Sequence, residues 1–392
     1  MDRAFRSVAV LVLAILVAGC VHLKPYLAAM GIGRSVESIG TSNCSIVPEL
    51  QACEKIILHQ PSGLLYLACS TLYGRLQWMP AIDRLNASGM SEDDHVAVYD
   101  YETNSITRLN FTGLSSRSGI SLHGMDVVIS AQDPSTLYVY LVNHRKPAAG
   151  DPSSVGADSV IEVFETRLGD SELRHLRTFE DPAIIITPND VVGSPDGRSM
   201  YFTNDHSQKS GLKRHLDVLI QPYDTSVGFC HADHGCKFAY RGLHGSNGIV
   251  KGLGHNNNTY YVADSMLGEI TVLKKGTDHT LLFSEVIKTG FAADNLAIDS
   301  NGALWVAGLA DVLGLIFRKF EDPSAPVSST GLRVTVNGDL GSVHGQRYNV
   351  NKAFEDSGRL ASGITSVVYD AQRERLFMHG NHPFFTSFCV VR

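Results

Sequence analysis

The feature that most constrains the fold is a pattern that returns six times along the chain. Each copy is a polar turn followed by a short run of aromatic and β-branched residues. The copies are HQPSGLLYLACS (59–70), AQDPSTLYVYLVN (131–143), GSPDGRSMYFTND (193–205), GHNNNTYYVADS (254–265), DSNGALWVAG (299–308) and DAQRERLFMHG (370–380). PDG and SNG within them are good hairpin turns, because Gly, Asn and Asp tolerate the backbone that tight turns require. Helical periodicity is scarce after residue 40, and β-rich runs bounded by Gly, Asn, Asp, Pro and Ser dominate. The copies lie roughly 45–75 residues apart, a period that fits units of several strands. The expected fold is therefore all-β, a propeller of six blades.

A second regularity accompanies the first. About 11–16 residues before the centre of each run stands a polar residue among apolar or small ones. In order these are Glu54, His123, Asn189, Asn247, the pair Asp294–Asn295, and the pair Thr365–Ser366. The innermost strands of a propeller line one central channel, so equivalent positions converge from distant parts of the chain. Glu54, Asn189, Asn247, Asp294 and Asn295 are all hard oxygen donors. Such a set suits Ca²⁺, which takes six to eight oxygens, rather than Zn²⁺, which favours Cys and His. His123 occupies the same ring of positions, and His144 ends a nearby run. Two histidines beside a cation suit general-base activation of water at a polarised carbonyl.

The totals narrow the setting. Of 392 residues, 44% are hydrophobic and 19% charged, enough to bury a large core. The net charge of −7 and the lack of a basic tract argue against a nucleic-acid partner. At the N-terminus, Arg3 and Arg6 precede an uncharged run from Ser7 to Leu23. This run fits either a signal peptide or a signal-anchor that holds the protein to a membrane; no clear cleavage site follows it. LVAGC also resembles a lipoprotein box ending at Cys20. Residues 1–40 are thus read as targeting segment and linker, and residues 41–392 as the propeller. All these readings place the propeller outside the cytosol.

Six further cysteines without a C-x-x-C pair read as disulfides in an oxidising compartment. Proximity favours Cys230–Cys236 and Cys53–Cys69, which leaves Cys44 with Cys389, although six cysteines admit fifteen pairings. Sequons at Asn43, Asn86, Asn110 and Asn257 fit a glycoprotein of the secretory route. CHADHGC (230–236) places two histidines between cysteines, a pattern read as a disulfide loop rather than a metal site. The chain has no G-x-S-x-G elbow, H-E-x-x-H helix or Walker loop.

Several segments in order resemble the serum paraoxonase/arylesterase lactonases: NCSIV, CEK, HGM, VNH, PNDVV, TNDH, SNGI, ADNLAID with LWVAG, and FCVV. The resemblance implies a calcium-dependent hydrolase of lactones and aryl esters on a six-bladed propeller. It further implies that Cys44 and Cys389 tie the first strand to the last. By the same resemblance, Glu54, Asn189, Asn247, Asp294 and Asn295 hold the calcium. His123 is the general base, His144 its proton shuttle, and Asp205 orients a histidine from behind. Asp190 and the Met125 carbonyl match ligands of a second, structural calcium.

Two positions depart from the pattern. Lys55 stands where the family has a second acid, and an ammonium cannot ligate calcium. Lys55 is read either as placing its charge beside Asp190 in place of that ion, or as turned to solvent. Leu309 replaces a pocket-wall histidine, which affects substrate range. Two other readings remain open on residues alone: a gluconolactonase-like propeller with an acidic base, and a strictosidine-synthase-like or binding propeller with a structural channel.

Overall fold

The computed structural model describes residues 24–114, 119–220, 223–337 and 347–391, with the side chains of 218–220 excepted. The hydrophobic stretch 7–23 and Cys20 lie outside these residues. Among the described residues, no helix is long and apolar enough to cross a membrane.

The strands form a six-bladed propeller. Blade 1 comprises Cys53–His59, Leu64–Cys69, His95–Asp100 and Ser105–Thr112. Blade 2 comprises Leu122–Ile129, Thr136–Arg145, Asp158–Arg167 and Glu172–Phe179. Pro188–Gly193, Ser199–Asn204, Thr225–His231 and Gly235–Leu243 make blade 3. Ser246–Lys251, Thr259–Asp264, Glu269–Lys275 and Leu281–Lys288 make blade 4. Blade 5 runs through Ala292–Ile298, Leu304–Leu309, Ser329–Val336 and Tyr348–Asp356. Each repeated sequence run is the turn and second strand of one blade.

The sixth blade closes the ring. Ser366–Asp370, Arg375–His379 and Thr386–Val390 are completed by Ser45–Val47, which pairs antiparallel through Ser45↔Phe388 and Val47↔Thr386. Cys44–Cys389 locks this joint. Cys53–Cys69 and Cys230–Cys236 link cross-strand partners, so all three favoured pairings are formed. A contact with no sequence signal joins blades 1 and 2. Their outermost strands pair in parallel, Asn110↔Glu172 to Thr112↔Arg174, and fuse the two blades into one eight-stranded sheet.

Apolar layers between blades supply the core. Tyr66, Ala68 and Val96 of blade 1 meet Leu137, Val139 and Leu141 of blade 2 in one such layer. Burying each large side chain contributes about 1.5–3 kcal/mol. Trp305 of blade 5 stacks on Tyr369 of blade 6 at 4.4 Å, and its indole donates to Asp299 Oδ2 at 2.8 Å. The four sequon asparagines are all exposed.

Insertions after the second strands of blades 1, 3 and 5 cover the face where the innermost strands begin. The blade 1 insertion opens with a short helix, Leu72–Gln77, capped by Thr71 Oγ1 accepting from Gly74 N at 3.0 Å. The blade 3 insertion carries the helix Gly211–Ile220. Residues 152–155 of blade 2 form another short helix, tied to the blade 3 insertion where Ser210 Oγ donates to Ser154 O.

Candidate active site

One backbone irregularity recurs at the channel. Pairing between first and second strands slips at Cys53/Lys55, Leu122/Met125, Pro188/Val191, Ser246/Ile249 and Ala293/Leu296. Each slip spans the residues singled out above: Glu54, then His123, then Asn189 and Asp190, then Asn247, then Asp294 and Asn295. A bulge frees residues from the ladder and re-aims their side chains. Ser366 of blade 6 pairs directly with His379, without such a slip. Close approach of the inner strands depends on two glycines beside these positions. A Cβ on Gly124 would lie 2.2 Å from Asn189 O, and one on Gly248 would lie 2.7 Å from Asn295 Cα.

The predicted residues come together, almost wholly buried. Glu54 Oε1 accepts from Asn295 Nδ2 at 2.8 Å and Glu54 Oε2 accepts from Thr365 Oγ1 at 2.6 Å. His123 Nε2 lies 3.3 Å from Asn189 Nδ2 and 4.0 Å from Glu54 Oε1. The rings of His123 and His144 are 5.2 Å apart, tilted by 58°. His144 Nδ1 meets Ser159 Oγ at 2.8 Å. His123 Nδ1 and His144 Nε2 have no partner.

Asp205 bonds His206 Nδ1 at 2.8 Å and accepts from Asn189 Nδ2 at 3.3 Å. The histidine it orients directly is thus His206, and its reach to His123 is by charge and through Asn189. Lys55 is buried, with Nζ 2.5 Å from Asp190 Oδ2 and 3.1 Å from Asn295 Oδ1. Of the two readings of Lys55, the structure shows the inward one. Met125 is fully buried in the same inner strand as His123. Leu309 is half-buried at the end of blade 5's second strand, packed against the cluster of Leu315, Phe320 and Val327.

Burial sets the protonation of this cluster. It pushes the Glu54 carboxyl up, against the Thr365 bond and the charge of Arg75. It pushes Asp294 well up, and the nearby Glu54 charge adds to the effect. The same loss of solvent drives His123 well below the ordinary imidazole value, helped by His144 and Arg75, and His144 to about 4. For Asp205, burial opposes ionisation, but His206 and Arg214 outweigh it and hold the carboxyl below its usual range.

The donor set fits a calcium ion on an observation independent of any likeness. The side-chain oxygens of Asn189 and Asn247 are buried without a partner, as is Asp190 Oδ1. Orphaned buried oxygens are costly and rare, so they mark a place for a cation. Glu54 and Asp294 add two buried carboxylates. Asn295 turns its oxygen toward Lys55 and its amide NH₂ toward Glu54. Among the described residues, no three of His, Cys, Asp and Glu gather as a ligand group, so the set depends on its amides.

Several residues that shape the site carry no motif. Arg75 Nη1 donates to Leu122 O at 2.6 Å, while Asp94 Oδ2 accepts from Leu122 N at 2.8 Å. Together they clamp the residue before His123. Trp78 Nε1 donates to His144 O at 2.8 Å, so one insertion holds both histidines. Arg214 Nη2 joins that insertion to blade 3 through Pro80 O and Ala81 O, at 2.7 and 2.8 Å. The only signal was the length of sequence between second and third strands of blade 1. Ser159 had no local signal. Beside His144 a narrow cleft opens between Pro80, Ala81, Asp205, Lys209 and Arg214.

Several known proteins are similar to this chain. Human "Serum paraoxonase/arylesterase 2" is 23% identical over 343 residues, 86% of this chain and 87% of that protein. "Serum paraoxonase/lactonase 3" of Mus musculus is 25% identical over 296 residues, 74% and 75% of the two chains. Among solved structures, a luciferin-regenerating enzyme aligns with a TM-score of 0.49 at 12% identity, over 89% of this chain and 96% of its own. The periplasmic gluconolactonase of Pseudomonas aeruginosa aligns with a TM-score of 0.44 at 11% identity, over 83% and 78%. The description of the Arylesterase family matches residues 35–378, which span blades 1 to 5, much of blade 6, every candidate calcium ligand, His123 and His144, and the chain belongs to that family.

Proposed function

We propose that the protein hydrolyses lactones or aryl esters with a water activated by His123. The reading rests on the paired, buried imidazoles beside a cluster of oxygen donors. Membership of the arylesterase family and the names of its relatives support the reaction class. A calcium ion held by Glu54, Asn189, Asn247, Asp294 and Asn295 would polarise the substrate carbonyl and steady developing negative charge.

The chain's own groups handle the proton. His123 Nε2 accepts from Asn189 Nδ2, which leaves the ring proton on Nδ1. Nε2 therefore carries the ring's single lone pair, and it takes a proton from water once that water replaces the Asn189 amide at Nε2. His123 Nδ1 and His144 Nε2 are both unpartnered, on rings 5.2 Å apart. We infer that the Nδ1 proton passes between them as the rings turn toward each other during turnover. His144, steadied at Nδ1 by Ser159 and at its carbonyl by Trp78, returns the proton to the departing alkoxide. The depressed basicity of both rings keeps them neutral at physiological pH, ready to accept.

We further infer that residues 1–40 deliver the chain to the secretory route, with 7–23 as anchor, and that residues 41–392 act as one catalytic unit. Glycans at Asn43, Asn86, Asn110 and Asn257 fit their exposure. The test is a panel of γ- and δ-lactones and aryl acetates, assayed with the wild type and His123→Gln. Hydrolysis lost at least a thousandfold in the variant supports this reading. Full activity in the variant would point to an acidic base, and no turnover of any panel member to a binding propeller.

A further inference from the structure

Arg75 is 1% exposed, yet its Nε and Nη2 have no hydrogen-bond partner. Only Nη1 is engaged, by Leu122 O. The carboxylates whose charge it feels are Asp94 and Glu54. Neither offers a free oxygen. Asp94 accepts from Ser70 Oγ and Leu122 N, and Glu54 from Asn295 Nδ2 and Thr365 Oγ1. The guanidinium is thus balanced in charge at a distance and unsatisfied at contact.

Its place is the candidate site. It holds the residue before His123, and its charge lowers the proton affinity of His123, His144, His379 and His382. Other polar groups nearby are also without partners. His382 is buried with both ring nitrogens unpartnered, and His379 Nδ1 is unpartnered too. Lys209 and Arg214 line the cleft beside His144. A buried fork of free N–H donors matches the two oxygens of a carboxylate, which it binds through paired hydrogen bonds.

We propose that Arg75 is a carboxylate-binding residue of this site. The inference rests on the hydrolase reading and deepens it: the ligand is a carboxylate-bearing lactone or ester, or the carboxylate that ring opening creates. Arg75 is a binding and positioning group and takes no part in bond making.

The test compares a γ-lactone carrying a pendant carboxylate with its carboxamide, in the wild type and Arg75→Gln. Arg75 also supports Leu122, so a structural role would slow both substrates alike. The readout is therefore the ratio of their kcat/KM values. A wild-type preference of at least tenfold for the acid, falling at least tenfold in the variant, assigns the pendant carboxylate. An unchanged ratio, with inhibition by 4-hydroxybutyrate weakened at least tenfold in the variant, assigns the product carboxylate. An unchanged ratio with unchanged inhibition overturns the proposal. If neither protein turns over any lactone, the hydrolase reading fails, and calorimetric binding of glutarate decides for Arg75. Binding weakened at least tenfold in the variant supports the carboxylate site, and equal or absent binding in both proteins overturns it.

Discussion

Lys55 places an ammonium among the oxygen donors of the inner strands. Its ammonium pairs with Asp190 at the protein centre, both side chains buried. We expect one tightly bound calcium per chain by metal analysis after dialysis, and two would contradict the replacement of an ion by Lys55. Removing one partner of a buried pair costs about 3–5 kcal/mol. Lys55→Met should lower stability by about that much in urea titrations, and adding Asp190→Leu should restore most of it. Buried histidines give a second prediction. His382 packs on Phe320 and its folded-state value falls to about 3 through burial. An unfolded imidazole binds its proton near 6.5. The neutral folded form therefore stabilises fully above about pH 6.5, and that contribution is lost as pH falls toward 3. His382→Phe should flatten the fall in urea midpoint between pH 6 and 4, and an unchanged slope would refute this. Glu54, Asn189, Asn247, Asp294 and Asn295 were legible in the sequence because each blade repeats their position. Arg75 and Ser159 were not, because neither occupies the repeated position: Arg75 acts from the blade 1 insertion, and Ser159 from the strand paired with that of His144.

At the scale of elements, the bulges in the inner strands build the site and the blade 1 insertion holds it. The repeating turns and runs made the strands legible. The bulges left no mark beyond a polar residue out of pattern, and the parallel joint of blades 1 and 2 left none. The insertion acts through backbone contacts, to which side-chain motifs are blind. Trp78→Phe keeps most of the packing and loses the bond to His144 O, a loss of about 1 kcal/mol. We expect kcat to fall by roughly five- to tenfold, since misplaced catalytic groups lose their advantage of orientation, with KM changed by less than a factor of two. Equal loss in both constants would show a binding role instead. His144, with a value near 4, should keep activity level from neutral pH to about 5 before it declines.

At the scale of the molecule, a ring is only as firm as its joint. The first and last strands share just three paired residues, and the disulfide spans a sequence separation of 345. Chain-entropy reasoning gives a stabilisation of roughly 6 kcal/mol for so long a loop. Paired Cys44→Ser and Cys389→Ser changes should lower stability by up to that amount, measured by guanidinium titration, while the fold persists in circular dichroism. Closure fixes the six inner strands around one axis, and only then do Glu54 and Asp294 meet across the channel. The most direct measurement is lactone hydrolysis by chelator-stripped protein as calcium is returned, with His123→Gln in parallel. The account predicts no turnover without calcium, recovery at one ion per chain, and a variant that binds the ion but stays inactive. Full turnover after stripping, or an active variant, would contradict it.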